Sequence, residues 1–465
     1  MKTICITVKN AKLIQRYFLR SGLLTLLVAK GARVVLLAPE SEADVYRDEF
    51  RQSSVSIVTL PTMRLDGLAS FADALSQFMV DDPGFIGYFR YKNARGIFTL
   101  PRLYARIIGI YLFRFIPGLL FLAERFLKYS GSTLRASKPL KAFFDEYKPD
   151  AIFATSLAES NFDASVIIEA KRRGIATAGT ARGWSSIGAN ARYLVDPDLW
   201  LVQDKFMKEM AIKTQYVPEN RIRVTGFPYF DWFVKKELIE SREYFLGSLG
   251  IDPKKRVVLY AGSGEAVAER EVGFARIFDN LVKEGKIPSD VVMLFRPHPY
   301  HSTAMEEISH FKSGTWKSVV LDNVEIQNMK LPHNAVNDQT ALAHLINSFA
   351  HCDMVITPGG TIFVEAAAFG KPLVALAFDS DQVVPFWLSF ARRYDGTHFE
   401  YQELLATGGI KKVASAEELA RSINDYLKDP QEDTAGYRVL RERFIKPCDG
   451  KSTERMADEL LTLVA

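Results

Sequence analysis

At 465 residues the chain is too long for one ordinary hydrophobic core, so two domains are expected. Hydrophobic content of 48% and charged content of 25% are those of a folded globular protein, and a net charge of +4 is too small to argue for nucleic acid. Three widely spaced cysteines, Cys5, Cys352 and Cys448, exclude a disulfide scaffold or a cysteine-rich zinc site and point to a reducing, cytoplasmic compartment.

Lys2 to Val8 (KTICITV) is an apolar, β-branched run and reads as a buried first strand rather than a secretory signal. A helix over Leu13 to Lys30 follows, closed by Gly31, and Arg33 to Ala38 and Val55 to Leu60 supply two further strands. Strand–helix–strand order with continuous apolar strands predicts a parallel sheet covered on both faces. Asn10 lies in the loop after the first strand, where open α/β sheets bind ligands, although loop asparagines also serve as turn residues.

Between residues 86 and 141 the character changes. Arg90 to Lys141 holds eleven Lys or Arg against one acid, Glu124, and is dense in aromatics. Its apolar run Ile107 to Leu127 does not predict a membrane span, because Arg114 near the centre costs roughly 2.5–3.5 kcal/mol there and Pro117 breaks the helix. Two readings stand: an amphipathic segment lying on an anionic leaflet, or a helical hairpin packed on the first domain.

Ala151 to Thr155 is the next strand, followed by a loop carrying Glu159 and Asp163. After the strand Ile175 to Ala178 comes a polar loop with Arg182 and Trp184; then follow strands at Leu199 to Val202 and Ile222 to Thr225. The division expected is an N-terminal domain over 1–235 with a basic aromatic insert at about 86–141, a C-terminal domain over 236–440, and terminal helices over 441–465 that return to the first domain.

The second domain restarts the pattern. Arg256 to Ala261 enters Gly262-Ser263-Gly264, and Val291 to Phe295 delivers Arg296-Pro297-His298-Pro299 at its C-terminal end. Met354 to Thr357 enters Pro358-Gly359-Gly360, a turn into a short helix stopped by Gly370, and Leu373 to Phe378 is the next strand. The glycines permit close backbone approach and the helix start offers unpaired N–H groups, a setting for phosphate. Glu365 stands four residues after Thr361, on the same helix face. All seven histidines lie at position 298 or later, so chemistry in the first half proceeds without histidine.

Three segments together carry a resemblance to the GT-B glycosyltransferase superfamily, with CDP-glycerol glycerophosphotransferases and UDP-GlcNAc 2-epimerases as relatives. Val224-Thr-Gly-Phe-Pro-Tyr-Phe-Asp231 is similar to the V-T-G-x-P-x-x-D that ends the first domain of such enzymes. Arg296-Pro-His-Pro299 is similar to the R-x-H-P of surface-polymer transferases. Gly359-Gly360-Thr361 through Glu365, Gly370-Lys-Pro372 and Asp381-Gln382 resembles the donor box of UDP-sugar transferases. The resemblance implies two Rossmann-like domains facing across a cleft and a transfer from a nucleotide-sugar donor, UDP-linked, to a hydroxyl of a surface polysaccharide or lipid-linked glycan acceptor. A CDP-glycerol-type phosphotransferase and a 2-epimerase-like enzyme are the alternatives.

Carried over, Gly359, Gly360 and Thr361 meet the diphosphate, with Gly262, Ser263 and Gly264 on its other side. Glu365 holds the ribose, and Asp381 with Gln382 the sugar hydroxyls. Arg296 and His298 neutralise the leaving phosphates. The plant-type box begins with His where this chain has Thr357, a departure that removes phosphate contact from that position. Glu159 or Asp163 is the acceptor base, since relatives' histidine is absent from this half. Asn10, Arg182 and Trp184 form the acceptor side, Trp184 either stacking on a sugar or plugging a core. Neither a metal nor a cofactor is expected. The partners expected besides the substrates are an anionic membrane surface through residues 90–141 and no nucleic acid.

Overall fold

The computed structural model describes residues 1–9, 15–50, 55–61, 65, 67–76, 79, 104, 108–109, 111–113, 115–116, 118–134, 136–157, 161–187, 192–263, 271–298, 304–322, 339–380, 384–385, 389–394 and 398–464. The chain divides into two compact units, 1–82 with 100–234 and 446–465, and 83–99 with 235–445.

Unit 1 is built on a seven-stranded parallel sheet in the order β3-β2-β1-β4-β5-β6-β7. The strands are β1 (Thr3–Thr7), β2 (Arg33–Pro39), β3 (Ser56–Leu60), β4 (Ala151–Ala154), β5 (Ala176–Gly179), β6 (Leu199–Val202) and β7 (Ile222–Val224). Every residue of β1, β4 and β6 is buried, as expected for strands covered on both faces. The covering helices include α1 (Leu24–Ala29), α2 (Ala43–Glu49), α3 (Gly67–Ser76), α4 (Leu119–Thr133), α5 (Lys138–Tyr147), α6 (Asn161–Arg172) and α7 (Lys205–Gln215). The single helix expected over Leu13 to Lys30 is instead broken at Gly22 (φ +95°), with α1 restarting at Leu24. Ala123 and Leu127 of α4 join Ala69 and Ala72 of α3, with Met79, Leu134, Ile168 and Leu194, in a satellite core. Within the basic aromatic insert, α4 is therefore packed on this unit along one face. Among the described residues no helix is long and apolar enough to cross a membrane.

Unit 2 holds a six-stranded parallel sheet in the order β10-β9-β8-β11-β12-β13. Its strands are β8 (Arg256–Ala261), β9 (Val291–Arg296), β10 (Val319–Leu321), β11 (Met354–Thr357), β12 (Leu373–Leu376) and β13 (Lys411–Val413). Its helices are α8 (Arg242–Ser248), α9 (Val272–Lys283), α10 (Ala304–Ser313), α11 (Gln339–His351), α12 (Ile362–Ala368), α13 (Phe399–Leu405), α14 (Ala416–Lys428) and α15 (Thr434–Phe444). The start of α14 is capped: the Ser415 hydroxyl accepts the Glu418 N–H, while the Glu418 carboxylate accepts the Ala414 N–H. A last helix, α16 (Ser452–Thr462), belongs to unit 1.

Its docking explains the V-T-G-F-P-Y-F-D segment. Asp231, buried, accepts the Ser452 N–H at 3.0 Å and both the N–H and hydroxyl of Thr453 at 2.8 Å. Gly226 (φ +83°) lies against Ser452 and the Pro447 carbonyl, where a Cβ would collide. Arg455 of α16 donates to the Thr225 carbonyl at 2.8 Å. In this fold the segment is a helix socket, and Asp231 caps that helix.

Candidate nucleotide-binding site

In unit 2 the strand order reverses between β8 and β11, which makes the C-terminal edge of those strands the topological switch point. Four loops leave this edge close together: Gly262-Ser263 from β8, Arg296-Pro297-His298 from β9, Asp322 from β10, and Pro358-Gly359-Gly360 from β11. The sheet thus gathers Gly262, Ser263, Arg296, His298, Gly359, Gly360, Thr361 and Glu365 at one edge of one domain. Gly264, Asp381 and Gln382 lie outside the described residues.

The exits of β8 and β9 are pressed together. The Gly262 N–H donates to the Arg296 carbonyl at 2.7 Å, and a Cβ on Gly262 would stand 2.6 Å from the His298 nitrogen and 2.9 Å from the Pro297 Cα. Glycine is required here by close approach. Ser263, expected to reach phosphate, donates its N–H (2.6 Å) and hydroxyl (3.3 Å) to the buried Glu271 carboxylate. Both its donors serve the turn, so its assignment as a phosphate donor is corrected to a turn-holding role. His298 is half-buried at the β9 exit.

Arg296 is only 7% exposed, and its Nε lies 3.8 Å from Oδ2 of Asp322, itself buried. The same carboxylate is met by His344 of α11, whose Nε2 is 2.9 Å from both oxygens. The His344 ring packs on Phe245 of α8, centroid to centroid 5.1 Å. A buried guanidinium demands a fixed counter-charge, and Asp322 is held from two sides to provide it. The sequence reading missed Asp322 and His344. An acid directly after a strand that neighbours the Arg296 strand was the available signal for the first; nothing marked the second.

At β11, Gly359 (φ +140°) and Gly360 (φ +115°) occupy conformations that side chains rarely adopt. A Cβ on Gly359 would also stand 2.7 Å from the Tyr401 hydroxyl, while the Cβ direction of Gly360 is open. Thr357, standing where the plant-type box has His, is fully buried and accepts the Gly359 N–H at 3.1 Å. It closes the turn. The Tyr394 hydroxyl donates to the Pro358 carbonyl at 2.8 Å, bracing the same turn from another loop. Glu365 lies in the first turn of α12 and is 7% exposed.

In unit 1 the order reverses between β1 and β4. The Thr155 hydroxyl donates to the Thr7 carbonyl at 2.6 Å, tying the two exits together, and the buried Thr7 and Ser156 hydroxyls make no hydrogen bond among the described residues. Asn10 and Glu159 lie outside the described residues. Asp163 is 0% exposed and accepts the Ser156 N–H at 2.8 Å. A fully enclosed carboxylate that holds its own loop is not placed to take a proton from an acceptor, which corrects its assignment as a base. Trp184, at 4% exposure, packs against Phe206 at 5.9 Å and fills the core rather than offering a stacking face. Arg182 is half-buried in the loop after β5. Among the described residues no three His, Cys, Asp or Glu side chains cluster as metal ligands would.

Two parallel α/β units, the second with glycine turns and a buried cation at its switch point, define a GT-B type transferase. Residues 185–462 match the family described as CDP-Glycerol:Poly(glycerophosphate) glycerophosphotransferase, and the chain belongs to that family. No curated protein matches the sequence. Solved structures share the fold at low identity. The S. aureus MnaA–UDP co-structure is 14% identical with TM-score 0.51, covering 100% of this chain and 98% of that one. UDP-GlcNAc 2-epimerase from Neisseria meningitidis bound to UDP-GlcNAc is 12% identical with TM-score 0.54, covering 99% and 100%. A structure of the wall teichoic acid polymerase TagF with CDPG is 14% identical with TM-score 0.51, covering 100% and 89%.

Proposed function

We infer that this protein transfers an alcohol phosphate, glycerol phosphate or a close relative, from a CDP-linked donor to a hydroxyl of a polymer or lipid-linked acceptor. The sequence places sugar transfer from a UDP donor first and this reaction second; membership of the glycerophosphotransferase family supports putting this reaction first. The observation that carries the reading is Arg296, a buried guanidinium fixed by Asp322 at the switch-point edge.

In the reaction the acceptor oxygen bonds to the donor's distal phosphorus as the bond from that phosphorus to the oxygen of CMP breaks, and CMP leaves with the electron pair. Negative charge grows on the departing CMP, where Arg296 and His298 stand as prepositioned positive charge and donor. Gly360 and Thr361 present backbone N–H groups to the diphosphate, and Glu365 accepts the ribose hydroxyls. The acceptor's proton passes to Glu159. The side-chain cations and backbone dipoles supply the positive charge the leaving group needs, so the reaction proceeds without a metal or other cofactor. The protein works at the inner face of a membrane, where its acceptor is anchored. Sugar transfer is the second reading, favoured by the likeness of residues 359–382 to a sugar-donor box.

Calorimetric titration with CDP, CMP, UDP and GDP, followed by an assay of CMP release from CDP-glycerol, tests this. Binding of the cytidine nucleotides is expected, with CMP release reduced roughly 100-fold in Glu159→Gln. Binding of UDP alone hands the site to sugar transfer, and no nucleotide binding sinks both readings.

A further inference from the structure

At the N-terminal edge of β5, β6 and β7 in unit 1 lies a cavity of about 390 Å³ that the proposed transfer does not use. Its walls are the C-terminal halves of α4 and α6, the segment 194–196 ahead of β6, and Arg221, just ahead of β7. Four cations line it, Lys128, Lys171, Arg172 and Arg221, against one carboxylate, Asp196. Lys128 bonds Asp196 (2.8 Å) and the Tyr193 carbonyl (2.8 Å), and Lys171 bonds Asp198 at 2.6 Å. Arg172 bonds the Ser132 carbonyl and lies 3.8 Å from Glu169. Arg221 has only the carbonyls of Pro197 and Asp198 for partners, so among the described residues its charge meets no carboxylate. An ammonium has three donors and a guanidinium five, so each cation keeps donors for a ligand. The shape is fixed by Gly131, where a Cβ would stand 2.6 Å from the Leu194 carbonyl oxygen.

The neighbouring surface of α4 is apolar and open. Phe121, Leu122 and Tyr129 are 60–63% exposed, while Ala123, Leu127 and Gly131 on the other face are buried. Just before α4, Tyr111 and Phe115 stack on one another with Phe115 69% exposed. Large apolar side chains exposed side by side mark an interaction surface.

We propose that this cavity is a headgroup site for an anionic phospholipid, its phosphate held by Lys171, Arg221 and their neighbours while Phe121, Leu122 and Tyr129 enter the acyl region. The lipid supplies both halves of what the surface lacks: phosphate oxygens for the unused donors and hydrocarbon for the apolar side chains. This rests on the membrane reading above and gives it a specific contact.

Co-sedimentation of the full-length protein with phosphatidylcholine vesicles, with and without phosphatidylglycerol, is the test. Binding is expected only with phosphatidylglycerol, falling on the order of tenfold in the double variant Lys171→Gln with Arg221→Gln. Lys138→Gln with Lys141→Gln, which removes the same charge from exposed positions on α5, is expected to lose much less. Equal losses in the two pairs would mean diffuse attraction and overturn the site. Lys171→Gln alone serves if the double variant misfolds, since Asp198 keeps its bonds from Thr177, and unchanged binding in it counts against the site. Calorimetry with soluble glycerol 3-phosphate separates the sources: binding of that molecule by a protein that ignores both vesicles, lost in the Lys171→Gln with Arg221→Gln variant, assigns the cavity to a free phosphate and overturns the lipid. Failure to bind any vesicle removes the membrane reading as well, while the CDP titration reports independently on the transferase.

Discussion

Asp322 acts on the site through Arg296, so it is a positioning residue. A carboxylate shared by a guanidinium and an imidazole fixes the guanidinium plane and keeps its charge in place before the donor arrives. Asp322→Asn leaves the shape and removes the charge, and the freed Arg296 is expected to wander. The outcome expected is a fall in kcat for CMP release of roughly tenfold to 100-fold with little change in the melting temperature. His344→Gln, which keeps a donor toward Asp322, should retain most of the activity, and equal damage from both variants would point to simple loss of packing. Glu365→Ala should weaken CDP binding by on the order of 1–3 kcal/mol through lost ribose bonds, read by calorimetry. Unchanged affinity would show that α12 does not meet the ribose. At this scale the sequence displayed the residues with recognisable spacing, Arg296, Glu365 and the glycines, because spacing along one strand or helix is a local property. It hid the partners His344 and Glu271, whose roles come from contacts between elements far apart in the chain.

The turn from β11 into α12 shows how an element encodes its own constraint. Gly359 sits at φ +140° with the Tyr401 hydroxyl where a side chain would go, and Thr357 closes the turn beneath it. Gly359→Ala therefore suffers twice, from backbone strain and from a collision with Tyr401. A loss of about 1–3 kcal/mol in stability from urea unfolding is expected, together with weaker nucleotide binding. Full stability in that variant would mean the turn readily adopts another form. Two adjacent glycines after an apolar strand made this turn legible in advance. That Thr357 stands where the plant-type box has histidine was legible too, but not its purpose: a hydroxyl that accepts a backbone N–H looks in sequence like any other strand-end threonine. Asp163 misled in the opposite way, since a carboxylate after a strand reads equally as a base or as the anchor of its own loop, and only burial separates the two.

Across the whole molecule, repeated apolar strands separated by helices were enough to expect two parallel sheets, and both are present. The crossings that create a switch point in each sheet were not visible, because strand order depends on which edges pair after the chain has left and returned. The helix α16, last in sequence, belongs to the first unit, on the side where the sequence expects the terminal helices to return. Its attachment makes the folding of unit 1 depend on the end of the chain. Asp231 satisfies three donors at the start of α16, and Met456, Ala457 and Leu460 bury the helix face. Asp231→Ala strands those donors in a dry site and is expected to destabilise unit 1 by on the order of 3 kcal/mol. Removing residues 446–465 deletes the apolar face as well and should lower the stability of unit 1 further. Unit 2 keeps its own sheet and core in both variants, so urea unfolding followed by hydrogen exchange should show protection lost in β1 through β7 while β8 through β13 stay protected. Equal loss in both sheets would mean that α16 stabilises the chain as one cooperative body instead.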